Sequence, residues 1–126
     1  MGNEAAAATA IIDDVIRDIY ARFSEPITID DMARSAMYSR FHFSRVFREV
    51  TGVSPGQFLT TVRIQEAKRL LLTTSLTVKE ITVRVGYSSV GTFSAKFKDF
   101  VGMSPTAYRD CVPPTIPARD GTTGQR

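Results

Sequence analysis

The sequence predicts an all-α protein of about seven helices, built as two similar helical units joined by one long helix. Three observations predict it. From Ser54 to Thr74, SPGQFLTTVRIQEAKRLLLTT, the residues Phe58, Val62, Ala67, Leu70 and Leu71 recur at helical spacing with no break before Thr73. The chain before this stretch and the chain after it repeat one pattern. Phe43-x3-Phe47-x4-Gly52-x-Ser54-Pro55-x2-Phe58 returns as Phe93-x3-Phe97-x4-Gly102-x-Ser104-Pro105-x2-Tyr108, at an offset of 50. Ahead of that core the offset is 49, pairing Thr28 with Thr77, Met32 with Ile81 and Tyr38 with Tyr87. The change of one residue falls between Tyr38 and Phe43, where a turn can absorb an insertion without rotating a helix face. Such a repeat signals two supersecondary units of one kind.

Residues 1–9 are Ala-rich and expected to fray as a flexible N-terminus. From Ala10 to Phe23, Ile11, Ile12, Val15, Ile16, Ile19, Tyr20 and Phe23 fall on one broad stripe opposite Asp13, Asp14, Arg17 and Asp18, an amphipathic helix with a buried face. Ser24-Glu25-Pro26 ends it. Thr28-x-x-Asp31 opens a short helix to about Ala36, since the Thr hydroxyl can cap a free N–H and the acids suit the positive end of the dipole. Met37-Tyr38-Ser39 is a turn, Ser39 can cap a third helix to about Thr51, and Gly52 stops it. Two short helices across a tight turn form a helix-turn-helix.

The third helix has two faces. Phe43, Val46, Phe47 and Val50 point inward, while Arg40, Phe41, Ser44, Arg45 and Arg48 form the outer stripe. A phenylalanine among arginines on an outer face fits a helix pressed into a DNA major groove; the alternative is that Phe41 packs on a neighbour and the arginines are merely solvated. Pro55 suits the first turn of the long helix, whose length would be about 27 Å. Thr77-x-x-Glu80 is a capping box opening a fifth helix to about Val85, and Gly86 can supply a left-handed turn residue. The sixth helix turns Phe93, Phe97 and Phe100 inward and Val90, Gly91, Ser94, Ala95 and Lys98 outward, a stripe far less basic than the first. A last short helix begins at Ser104-Pro105 and runs to about Asp110, and VPPTIPARDGTTGQR after Cys111 reads as a flexible tail. The expected division is 1–9, 10–54, 55–74 for the linker helix, 75–110 and 111–126.

Composition narrows the function. A chain of 126 residues with 43% hydrophobic content can build a real core and is not disordered. It has no apolar run of about 18 residues to span a membrane. The first residues lack the regions of a secretory signal, and a single cysteine cannot form an internal disulfide, so a cytoplasmic location is expected. Seven acids face two arginines in residues 1–31, whereas the other 14 basic residues face six acids from there on. A basic body suggests a polyanionic partner. With one His and one Cys far apart, no metal set is proposed, and His42 is expected to pack or cap. No Gly-rich phosphate loop and no nucleophile elbow is present, so neither a cofactor nor an enzymatic activity is expected.

Residues from about Ile27 to Arg109 resemble the DNA-binding domain of the AraC/XylS transcription regulators. The matching pieces are Tyr38-Ser39 with Phe43-Ser44-Arg45-Val46-Phe47, Gly52-Val53-Ser54-Pro55, and Arg63 and Ala67 followed by Leu70-Leu71. They continue with Ile81, Gly86-Tyr87, Phe93, Phe97-Lys98 and Gly102-Met103-Ser104-Pro105, ending in Tyr108-Arg109. The resemblance covers roughly two-thirds of the chain. It implies two helix-turn-helix subdomains, homeodomain-like three-helix units, bridged by the long helix, each offering a recognition helix to double-stranded DNA. Successive major-groove sites on one face lie about 34 Å apart, a spacing the bridged pair would meet within one monomer. Arg40, Phe41, Ser44 and Arg45 would approach base edges, with Val90 and Ser94 their counterparts in the second helix. Arg48 and Lys98 would meet phosphates, which position without reading sequence. Arg63 is expected to serve structure or the DNA backbone.

The resemblance further implies regulation of transcription, as activator or repressor, with RNA polymerase as a second partner and a monomer on DNA. The chain would be a stand-alone regulator or the DNA-binding part of a longer one. Three positions depart from the family pattern. Met37 stands where Gly is common, and a positive φ there would strain it. Thr82 replaces a small Ala at a helix packing point, from which looser packing of the second subdomain is expected. Ala95 replaces an Arg or another polar residue. The alternative function is a helical protein-interaction module that has lost sequence-specific DNA binding; salt-sensitive duplex binding separates the two.

Overall fold

The helix boundaries follow from caps that the two repeats share. The structure is a computed structural model that describes residues 2–111. Among them it forms α1 (Gly2–Arg22), α2 (Ile29–Ser35), α3 (Arg40–Thr51), α4 (Pro55–Thr73), α5 (Val78–Arg84), α6 (Val90–Val101) and α7 (Pro105–Cys111), with no strand. Thr28 Oγ1 accepts from the Asp31 N–H at 3.0 Å, and the Asp31 carboxylate accepts from the Thr28 N–H at 3.0 Å. Thr77 and Glu80 make the same reciprocal pair at 3.1 and 2.8 Å. The threonine backbone N–H is the main cause that holds both carboxyls below their ordinary pKa. Ser39 and Ser89 cap α3 and α6, each accepting from an N–H three residues on at 3.2 Å. Gly52 and Gly102 end those helices with φ of 89° and 97°, a conformation that costs glycine least.

The repeat changes register where a turn can take it. Starts of α2 and α5 lie 49 residues apart and those of α3 and α6 lie 50 apart. The extra residue of the second copy sits in the turn ahead of α6. In these two turns Met37 and Gly86 occupy equivalent places, with φ of 62° and 101°. Met37 is the non-glycine residue with positive φ among the described residues, and it is 90% exposed.

The chain divides into two units, with the boundary between Val62 and Arg63, inside α4. The first core joins Ile12, Val15 and Ile19 of α1, Met32 and Ala33 of α2, Phe43, Val46 and Phe47 of α3, and Leu59 and Val62 of α4. The second joins Ile64, Ala67, Leu70 and Leu71 of α4, Ile81 and Val85, and Phe93 and Phe97 of α6. Aromatic contacts extend each: Phe43–Phe47 and Phe47–Phe58 at 5.7 and 5.6 Å, Phe93–Phe97 and Phe97–Tyr108 at 5.8 and 5.5 Å. So α4 is more than the expected linker, because each half of it walls a core.

Several expectations are corrected. Helix α1 begins at Gly2, not Ala10; alanine is the strongest helix former, and Ala8 packs partly against the first core. Tyr20, expected on the buried stripe, is 59% exposed and touches Phe58 only edge-on, at 6.0 Å. Phe100, expected inward, is exposed because Val101 takes the place on the second core, one turn beyond Phe97. Thr82 is not a loose point. It is fully buried, and its hydroxyl donates to the Val78 carbonyl at 2.8 Å, so no polar atom is stranded. Arg109, which enters the sequence pattern only through the family resemblance, closes the C-terminal end of α4, donating to the Leu71 and Thr74 carbonyls at 3.0 and 3.1 Å. The expected tail, 111–126, lies outside the described residues except for Cys111, the last residue of α7.

Because Met37 carries a side chain in left-handed backbone and buries almost none of it, Met37→Gly should raise stability by about 0.5–1 kcal/mol. Urea unfolding of the two proteins measures the gain; a lower midpoint for the glycine variant would show that Met37 is unstrained.

Candidate nucleic-acid interface

Burying Phe43, Val46 and Phe47 fixes the rotation of α3 and therefore what it shows outside. Arg40, Phe41, Arg45 and Arg48 are exposed and Ser44 is half-buried, so the five residues expected on the outer stripe do share one surface. Phe41 is 88% exposed, which excludes the alternative that it packs on a neighbour. The charges on this stripe are not equivalent. Arg40 Nη1 lies 3.6 Å from Asp30 Oδ1 on α2. Arg45 and Arg48 have no acidic partner among the described residues. His42 stands beside the stripe with its ring 4.6 Å from Tyr38, and its backbone N–H is taken by the Ser39 cap.

In the second unit, buried Phe93 and Phe97 set the rotation of α6 in the same way. Val90 is 40% exposed, Gly91, Ala95 and Lys98 are exposed, and Ser94 is half-buried. A side chain at Gly91 would meet nothing within 4 Å, so the glycine leaves the stripe bare without serving packing. Gly91, Thr92, Ala95, Lys96, Lys98 and Asp99 line a shallow open depression. Thr92 and Lys96 lie outside the stripe that the sequence predicts. Their signal is that they stand four residues apart, on one helix face beside the stripe of Gly91 and Ala95.

Arg63 is held within its own unit. Its guanidinium sits 5.3 Å over the Tyr87 ring, and partial burial lowers its pKa while Tyr87 raises it. Of the two roles expected for Arg63, structure or the DNA backbone, this favours structure. Among the described residues no cluster of His, Cys, Asp or Glu could hold a metal ion, and no helix is long and apolar enough to cross a membrane.

Two helix-turn-helix units, each presenting an outer helix with cations and short polar side chains, define a double-stranded DNA-binding protein. Residues 32–110 match the family described as a helix-turn-helix domain. The chain is 33% identical over 101 residues to the HTH-type transcriptional activator AarP of Providencia stuartii, covering 80% of this chain and 75% of that one. It resembles the DNA-binding domain of AdpA, a global transcriptional factor solved with a target DNA, with TM-score 0.76 and 34% identity over 79% of this chain and 90% of that one. An AraC-type regulator from Chromobacterium violaceum superposes with TM-score 0.73 at 26% identity, covering 83% and 94%. Other regulators that it matches are longer, the chain spanning 28% of one and 37% of another. The chain belongs to the AraC family and is a DNA-binding transcriptional regulator. The family is one of regulators, not enzymes.

Since Phe41 is so exposed, Phe41→Ala should leave the unfolding free energy, measured by urea titration, within about 0.5 kcal/mol of the parent. Duplex binding should weaken. Lost stability with unchanged binding would return Phe41 to a packing role.

Proposed function

We propose that the chain reads base sequence mainly through α3 and uses α6 chiefly to anchor on the backbone. The observation that carries this is the difference between the two exposed stripes. Arg40, Phe41, Ser44 and Arg45 offer two guanidinium forks, an apolar ring and a hydroxyl to base edges, and such forks match the acceptors of guanine. The equivalent places on α6 hold Val90, Gly91, Ser94 and Ala95, leaving one hydroxyl and one apolar group that suits a thymine methyl. Arg48 and Lys98 occupy matching places in the last turns of their helices and serve as phosphate contacts.

The protein acts as a monomer on DNA, since each of its two units supplies one outward helix. It activates transcription, a reading supported by the name of AarP, a transcriptional activator, and RNA polymerase is its second partner in this proposal. Its place of action is the bacterial cytoplasm, where its DNA target lies.

Selection from a random duplex library yields the cognate site for the tests. Arg45→Ala should lower discrimination between cognate and scrambled duplexes by about 1–3 kcal/mol, and Ser94→Ala should cost much less. Equal loss in both variants would overturn the division of labour. Arg48→Ala and Lys98→Ala should each weaken both duplexes alike and reduce the slope of log affinity against log salt by about one. A change in discrimination would make either residue a base reader.

A further inference from the structure

We infer that Asp30 is a positioning residue for DNA recognition, holding the Arg40 guanidinium toward base edges and away from phosphates. The inference rests on the proposal that α3 reads sequence. Asp30 lies in the first turn of α2 and Arg40 is the first residue of α3, the end of a recognition helix that meets bases. Their 3.6 Å ion pair joins two helices, whereas Arg17, Arg22, Arg34 and Arg69 pair with acids three or four residues away.

Asp30 and Asp31 divide two tasks. Asp31 is committed to the helix cap and, at 3.2 Å, to Arg34. Asp30 serves Arg40. An arginine on a flexible stem would otherwise meet phosphates and bases alike, and a carboxylate beside it opposes the phosphate contact by repulsion. It also limits the directions from which the fork can act.

The second unit shows the reverse arrangement. Lys79 stands in the place of Asp30 and Val90 in the place of Arg40, so a cation replaces the acid where no arginine needs holding. That reversal follows the proposed split between a reading unit and an anchoring unit. The Asp30–Arg40 pair is exposed, so its contribution is to direction rather than to stability.

The test measures affinity of the full chain for its selected duplex and for a scrambled one, across a salt series. Asp30→Asn should reduce the cognate-to-scrambled ratio by about threefold to fivefold, the size of one exposed ion pair. It should tighten scrambled binding and steepen its salt slope by about one, as the freed Arg40 takes a phosphate. Asp30→Glu should restore most of the ratio. In an Arg40→Ala background, Asp30→Asn should leave the ratio unchanged while still raising overall affinity through net charge. An unchanged ratio in Asp30→Asn, or the same loss without Arg40, overturns the inference. Arg45→Ala separates the two levels. If it destroys discrimination while Asp30→Asn does not, only the role of Asp30 falls; if it has no effect, the reading role of α3 falls and this inference with it.

Discussion

Each unit depends on a pair of phenylalanines one helical turn apart, Phe43 with Phe47 and Phe93 with Phe97, all fully buried. Burying each ring contributes about 1.5–3 kcal/mol, so the pair sets the rotation of its helix against small competing effects. A slip of one residue would turn each ring by about 100° and carry arginines toward the core, where an unpaired charge costs far more. The outer stripe of α3 is therefore a consequence of its inner one. The exposed side chains of α3 need no separate device to face outward; the core does it.

The second constraint is how the chain returns after each short helix. Both turns need a residue with positive φ, and the two copies meet that need with Met37 and Gly86. The additional turn residue in the second copy leaves the caps intact, since Ser39 and Ser89 both accept an N–H at 3.2 Å. Insertion and strain are thus confined to the turn, and each outer helix keeps its bearing on its own core. Arg109 adds a contact that the first unit has no equivalent for, because Leu59 stands at the matching place and is core.

The electrostatic character comes from which charges are already used. Asp31 and Glu80 are taken by caps, while Asp14, Asp18 and Glu66 pair with Arg17, Arg22 and Arg69 on their own helices. Such exposed pairs add little stability, but they cancel local field. Arg45, Arg48 and Lys98 keep no acidic partner among the described residues, so the outer stripes carry local positive charge that the net charge of +3 does not reveal.

Much of this was legible in the sequence because it is local. Helical spacing, threonine and serine caps and glycine stops are set by residues within a few positions of one another, and the repeat with its 49-to-50 shift shows the same local pattern twice. The outer stripes of α3 and α6 followed from the same periodicity. Tertiary structure decided the rest. That Val101 and not Phe100 closes the second core depends on which neighbour reaches α6, and the burial of Thr82 depends on the packing around it. That α4 is shared between two cores, that Arg109 caps it from a distance and that Asp30 meets Arg40 are contacts between segments apart in sequence. Periodicity assigns a residue to a face; only packing says which side chain stands opposite it.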